Sequence, residues 1–242
     1  MVPGLAPRAM RSSHISRLFC RCVTLLLIAS WTVTAGQTTP PAQQQPLSVN
    51  GQALPNGAAG EGYSFQLTAS GGTPPVLWQL IQGNLPSGIH LDEVSGLLLG
   101  TPRAIGTFRF ILGATDSGAP RSVARAEFTL KISPALTIVW SPAPGVQNDT
   151  IAGQLAVSSN MNENLDLTVI VVAINESGKA FVLGYQHFAL SPRTSNLAIP
   201  FASSLPYGSY VVHADAIGED TNTNSIYRAL LDSSGSLTIS PP

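Results

Sequence analysis

Beyond position 22 the chain has no cysteine; Cys20 and Cys22 are the only two in 242 residues. Both precede the apolar run at residues 23–33, VTLLLIASWTV. A lipid-modified cysteine would have to follow such a run, so a lipoprotein reading fails. Charge is scarce as well, at 10% of residues, and lysine occurs only at Lys131 and Lys179. A nucleic-acid surface needs clustered Lys and Arg, so that class of partner is excluded. There is no uninterrupted apolar stretch of the roughly 18 residues that a membrane-spanning helix needs. There is no G-x-S-x-G elbow, no phosphate-binding G-x-x-x-x-G-K-[ST] loop and no H-E-x-x-H zinc helix. The four histidines, His14, His90, His187 and His213, have no metal-like partner at short spacing.

What the chain does have begins with a leader. Arg8, Arg11, Arg17 and Arg21 form a basic stretch, the apolar run follows, and Thr34-Ala35-Gly36 supplies small residues. This is the three-part pattern of a secretory signal peptide over residues 1–36, with cleavage expected after Ala35 or Gly36. Met10 would give a start of more usual length. Cleavage removes both cysteines, so the mature protein has no disulfide and each domain is held by its core alone. It also removes four of the 12 basic residues and none of the 13 acids, leaving a surplus of five acids. That surplus lies in residues 136–242, with eight acids against three bases; residues 47–133 balance at five of each.

Residues 37–46, QTTPPAQQQP, read as an extended linker. Strand patterns then alternate with period two, which gives each strand one buried and one wet face. Tyr63, Phe65, Leu67 and Ala69 share one face, as do Phe108, Phe110, Leu112 and Ala114, and Ala126, Phe128, Leu130 and Ile132. Trp78, flanked by Val76 and Leu80, is the expected central aromatic, buried with Phe65, Phe110 and Phe128. Turn signals separate these runs at residues 70–75, 95–96 and 116–120. Short strands between such turns point to antiparallel sheets packed as a sandwich.

Two strings sharpen this. Residues 85–102 read LPSGIHLDEVSGLLLGTP, and residues 106–116 read GTFRFILGATD. Together they resemble the "putative Ig-like domain" family of bacterial surface and secreted proteins, a cadherin-like β-sandwich. Its usual string is close to LP-x-GL-x-LD-x-x-TG-x-I-x-GTP-x-x-x-GTY-x-F-x-V-x-ATD. Here Val94-Ser95-Gly96 replaces the Thr-Gly approach, and Phe108 replaces the tyrosine. The resemblance covers residues 47–133. It implies a non-enzymatic module outside the cytoplasm, and it raises calcium binding through carboxylates such as Asp92, Glu93 and Asp116. Asp92 is better read as a cap that closes its own turn.

After a short Ser133-Pro134-Ala135 junction, expected to be stiff because proline restricts it, residues 136–240 form a second domain. Strands are expected at 136–140, 150–158, 166–175, 179–188, 196–201, 209–218 and 225–239, the last broken near Asp232. Residues 205–210, LPYGSY, resemble the entry to the penultimate strand of a fibronectin type III-like or Ig-like sandwich. In such folds a tyrosine ties the corner by a hydroxyl-to-backbone bond, and Tyr210 is the candidate. The fold class is therefore all-β, two tandem Ig-like antiparallel sandwiches after a signal peptide.

Residues 167–174, LTVIVVAI, break the alternation. Leu167, Val169, Val171 and Ala173 take one face, and Ile170, Val172 and Ile174 the other. A sandwich covers only one face, so the second set calls for a covering loop, the neighbouring domain or an interaction surface. The acidic candidates are Asp215, Glu219, Asp220, Asn222 and Asn224. Asp220-Thr-Asn222-Thr-Asn224 copies the opening of a calcium loop, but Ser225 stands where glycine is needed and Leu231 where the bidentate glutamate should be. No cofactor is expected, and calcium at most weakly.

These readings describe an exported, non-enzymatic binding, adhesion or spacer module, with a protein or glycan of the cell surface as partner. Membrane contact is expected only through an uncleaved leader. The alternative is a carbohydrate-binding or enzyme-associated accessory protein, for which Trp140, Tyr207 and Tyr227 are the aromatics that could stack on sugars.

Overall fold

A computed structural model describes residues 45–241, all within one compact unit, Gln43–Pro242. The leader and most of the linker lie outside the described residues. Every regular element described is a β-strand, 18 in all. The expected all-β pair of sandwiches is what the chain forms.

In the first sandwich, β2 (Gly57–Ala58), β9 (Val123–Ser133), β8 (Gly106–Thr115) and β5 (Leu77–Gly83) make one sheet in that order. The other holds β3 (Tyr63–Gln66), β7 (Leu97–Gly100) and β6 (Ile89–Leu91), while β1 (Ser48–Val49) pairs β4 (Ala69–Ser70). Trp78, Leu98, Phe110, Leu112, Phe128, Leu130 and Ile132 are buried between the sheets. Phe110 stacks on Phe128 with ring centres 6.3 Å apart. Two expected core positions differ. Phe65 is only half-buried, because β3 is an edge strand and one flank of the ring stays open. Leu80 is 41% exposed, because β5 is also an edge strand and its pairing with β8 becomes irregular between Leu80 and Gln82. Such an irregularity twists an edge away from its partner sheet.

The loops of this sandwich are closed by carboxylates. Asp92 Oδ1 accepts bonds from the Val94 and Ser95 amides and the Ser95 hydroxyl, at 3.1, 2.7 and 2.7 Å. This is the expected cap. It brings Gly96, at φ +71°, against the Trp78 indole, where a side chain would have no room. Asp116 is buried and accepts from the amides of Ser122 at 2.6 Å, Thr73 at 3.0 Å and Gly118 at 3.3 Å.

In the second sandwich, β12 (Thr150–Ser159) pairs β10 (Leu136–Trp140) and β11 (Gly145–Gln147) on one flank and β15 (Leu197–Ser204) on the other. The second sheet runs β14 (Ala180–Leu190), β13 (Leu165–Asn175), β16 (Gly208–Asp220) and β17 (Ser225–Asp232), with β18 (Leu237–Ile239) pairing the start of β16. The final expected strand is thus two strands that break after Asp232. The core contains Ile151, Leu155, Val157, Leu165, Leu167, Val169, Val171, Val212 and Tyr210. The Tyr210 hydroxyl donates to Pro206 O at 2.7 Å, so the tyrosine ties the corner as expected.

The two sandwiches are clamped where they meet. Ala58 of β2 is 1% exposed and belongs to the core of the second sandwich. The Asn162 amide donates to Glu61 Oε1 at 2.6 Å, and Asn160 Nδ2 donates to Pro134 O at 2.8 Å. The Tyr227 hydroxyl donates to Gly60 O at 3.1 Å. Gly60 has φ +86°, and a Cβ there would lie 2.7 Å from the Tyr227 ring. Direct bonds replace a flexible hinge.

Candidate binding face on the second sandwich

Strand β13 lies inside its sheet, between β14 and β16. Leu167, Val169, Val171 and Ala173 point into the core and are fully buried. Ile170, Val172 and Ile174 point the other way and are only half-buried. Their outer side is thus partly open to solvent.

Pairing shows what surrounds them, since directly paired residues share a face. On β16, Val211, His213 and Asp215 stand opposite Ile174, Val172 and Ile170. On β17, Asp232 and Leu230 extend the same two rows past His213 and Asp215. On β14, Val182 pairs Val172 and Tyr185 pairs Ile170. Val182 and Tyr185 are three residues apart, so strict alternation would place them on opposite faces. The register shifts between Val171 and Val172, and the extra residue in β14 puts both outward. They are 62% and 63% exposed, and Leu230 is 64% exposed. The sequence offers no marker for this bulge, and Tyr185 passes unnoticed there.

Polar groups border the apolar strip in pairs. Arg228 Nε donates to both oxygens of Asp215, at 2.9 and 3.1 Å, and Nη2 contacts the same carboxylate. These bonds push the Arg228 guanidinium above its usual range. His213 Nδ1 lies 2.7 Å from Asp232 Oδ1. His187 lies 3.3 Å from Asp166 through Nε2 and 2.9 Å from the Thr168 hydroxyl through Nδ1. Thr168, His187 and Asp166 thus stand in a row of polar contacts on the exposed sheet surface. Two hollows of about 390 Å³ open on the face. One is lined by Ile170, Val172, Asp215, Arg228 and Leu230, the other by Ile174, Asn175 and Val211, and His213 borders both.

The acidic candidates do not converge. Asp215 is engaged by Arg228 on the outer face. Glu219 is exposed on that face, paired across from Ile226. Asp220 is buried, and its oxygens accept from the Asn222 amide at 2.9 Å and the Thr223 hydroxyl at 2.8 Å. Those bonds, Thr223 foremost, hold the Asp220 carboxyl below the usual range. Asn222 reaches Glu163 at 3.4 Å, and Asn224 occupies a left-handed position in the turn, at φ 54°. The stretch is the β16–β17 hairpin turn. Among the described residues, no group of three or more His, Cys, Asp or Glu is placed to hold a metal.

The aromatics singled out for sugars divide. Tyr207 is 60% exposed. Trp140 packs edge-on against Phe201, 5.7 Å between ring centres, and donates to Asp232 O at 3.1 Å. Tyr227 serves the clamp, and burial raises its hydroxyl above the usual range.

Residues 45–133 match the family model described as "Putative Ig domain". The Ig-domain match is to the first sandwich, and the face described above lies outside it. No curated protein matches the chain. Among solved structures, the chain is similar to the eight N-terminal Ig domains of Down Syndrome Cell Adhesion Molecule, at 10% identity. That likeness covers 82% of this chain and 28% of that one, with a TM-score of 0.35. It is similar to repeats EC21–23 of human CDH23 at 15% identity, covering 80% and 63%, also with a TM-score of 0.35. A Bacteroides fragilis structure described as a "putative alpha-galactosidase" is similar at 20% identity over 37% of this chain and 18% of its own, with a TM-score of 0.33. The chain spans less than two thirds of the length of each of these proteins.

Proposed function

We propose that the chain is an exported, non-enzymatic binding or adhesion module that works through the outer face of β14, β13, β16 and β17. The clamped pair of sandwiches acts as a stiff support. The observation that carries this reading is the outward strip of Ile170, Val172, Ile174, Val182 and Tyr185. Fully burying one large aliphatic side chain is worth about 1.5–3 kcal/mol. With Val182 and Tyr185 exposed and three more side chains partly open, the strip keeps apolar surface for a partner, and large apolar patches usually mark contacts. The leader pattern supports export, and the pairing of Asp215 with Arg228, of Asp220 with its own turn, and of Asp116 with three amides supports a role that needs no metal.

A pull-down from the native envelope and a glycan array, each run with wild type and Val172→Lys, test the reading. The variant is expected to melt like wild type and to lose the captured partner. Retention of every partner by Val172→Lys removes the face from consideration. A glycan signal lost in Tyr185→Ala but kept in Val172→Lys transfers the function to sugar binding.

A further inference from the structure

The face has a sign. Its outward carboxylates are Asp166, Asp215, Glu219 and Asp232, and its outward strong base is Arg228 alone. With His187 and His213 counted as neutral at pH 7, the acids exceed the bases by three. The apolar strip lies among these acids, so both features meet any occupant at once. With strands about 4.8 Å apart and outward positions over about 30 Å, the four-strand face offers roughly 600 Å². A standard interface between folded proteins uses about 800 Å² per partner, so this smaller face suits an extended peptide segment better than a whole folded partner.

Two copies of the chain packed face to face would set these acid surpluses against each other in a poorly solvated gap, which is unfavourable. An anionic surface meets the same objection. A cationic partner gains from both features. Guanidinium groups pair with carboxylates through two parallel bonds and also lie favourably over an exposed ring such as Tyr185. Aliphatic side chains fill the hollows over Ile170, Val172 and Ile174.

We infer that the outer face receives a basic, apolar polypeptide segment in which Arg or Lys alternates with aliphatic residues. This inference rests on the reading of the face as a binding surface and adds the chemistry of the partner.

The test is calorimetric titration of the full chain with three synthetic peptides that share the same aliphatic positions. The positions between carry Arg and Lys in the first, Ser in the second and Glu in the third. The basic peptide is expected to bind at least tenfold more tightly than the serine peptide, and the glutamate peptide not at all. Added salt should weaken the basic peptide severalfold. Val182→Lys and Val172→Lys should each cost it tenfold or more; Val182 is exposed on an edge strand, so that variant keeps its fold. Equal binding of all three peptides overturns the charge assignment and leaves the binding face standing. Binding of the basic peptide unchanged in both variants, or binding of no peptide, overturns the inference. Self-association of wild type that Val182→Lys abolishes overturns it too, because the occupant is then a second copy.

Discussion

The two sandwiches solve the same packing problem with different leftovers. In the first, β9 alternates cleanly, with Ala126, Phe128, Leu130 and Ile132 inward and Arg125, Glu127, Thr129 and Lys131 outward, although Leu77, Leu80 and Leu99 stay exposed on β5 and β7. The second carries a strand, β13, that is apolar on both sides while only one side meets a core. A core can be built from half of β13. The other half forms the outward strip on which the proposed binding function rests.

The largest effect that separates the two is in the cores. Phe110 is almost fully buried and stacks on Phe128. Truncation of a buried Phe to Ala costs about 3–5 kcal/mol, a large share of a domain stability of about 5–15 kcal/mol. Phe110→Ala is expected to unfold the first sandwich. Differential scanning calorimetry reads this directly, and melting like wild type would show that the Phe110–Phe128 stack is dispensable.

A smaller effect belongs to the second sandwich. Tyr210→Phe keeps the ring against Phe181, at 5.7 Å and near right angles, and removes only the bond to Pro206 O. The loss should be about 1 kcal/mol, the net worth of one such bond. Urea denaturation resolves it as a lower midpoint with an unchanged slope. An unchanged midpoint would mean that the corner is held by the ring alone.

The fold was largely legible because its signals are local. Period-two alternation placed the strands of the first sandwich, and the turn chemistry of Asp92 and the LPYGSY corner each act within a few residues. What escaped depends on neighbours in space. The bulge that turns Val182 and Tyr185 to one face is a property of the β13–β14 register, not of the β14 sequence. The edge positions of β3 and β5, which open Phe65 and Leu80, depend on strand order. Tyr227 reads as a surface aromatic until Gly60 is brought beside it. Asp220-Thr-Asn222 resembles a calcium loop in one dimension; in space the Asp220 carboxylate accepts from the Asn222 amide and the Thr223 hydroxyl. The apolar second face of β13 was visible in LTVIVVAI, whereas its acidic surroundings come from two other strands.

Proton linkage separates the sandwiches further. Amides of Ser122 and Thr73 hold Asp116 below its usual range, and the Ser95 amide and hydroxyl do the same for Asp92. In the second sandwich Asp220 is held low in this way. A depressed carboxyl contributes stability that is full above its unfolded value near pH 4 and is lost as pH falls toward the folded value. The first sandwich should therefore lose more of its melting temperature between about pH 4 and pH 2. At the other extreme, burial pushes the Tyr63 hydroxyl up to about 12. Its contribution is full below about pH 10, where the unfolded tyrosine begins to ionise, and is lost as pH rises through the folded value. Trp78 fluorescence in a Trp31→Phe, Trp140→Phe background follows the first sandwich. Earlier acid melting of the second sandwich would reverse the assignment.

The smallest expected effect bears most on function. Val182→Lys alters an exposed position on an edge strand, and Lys at an edge is a common guard against unwanted pairing. Surface changes away from caps and cores usually stay within about 0.5 kcal/mol. The added charge also sits on a face where carboxylates outnumber bases. Thermal melting should thus be unchanged or slightly improved, whereas partner binding should fall. If Val182→Lys instead lowers stability by more than about 1 kcal/mol, the strip is part of the fold's own packing. The contrast between the one-sided β9 and the two-sided β13 would then lose its functional meaning.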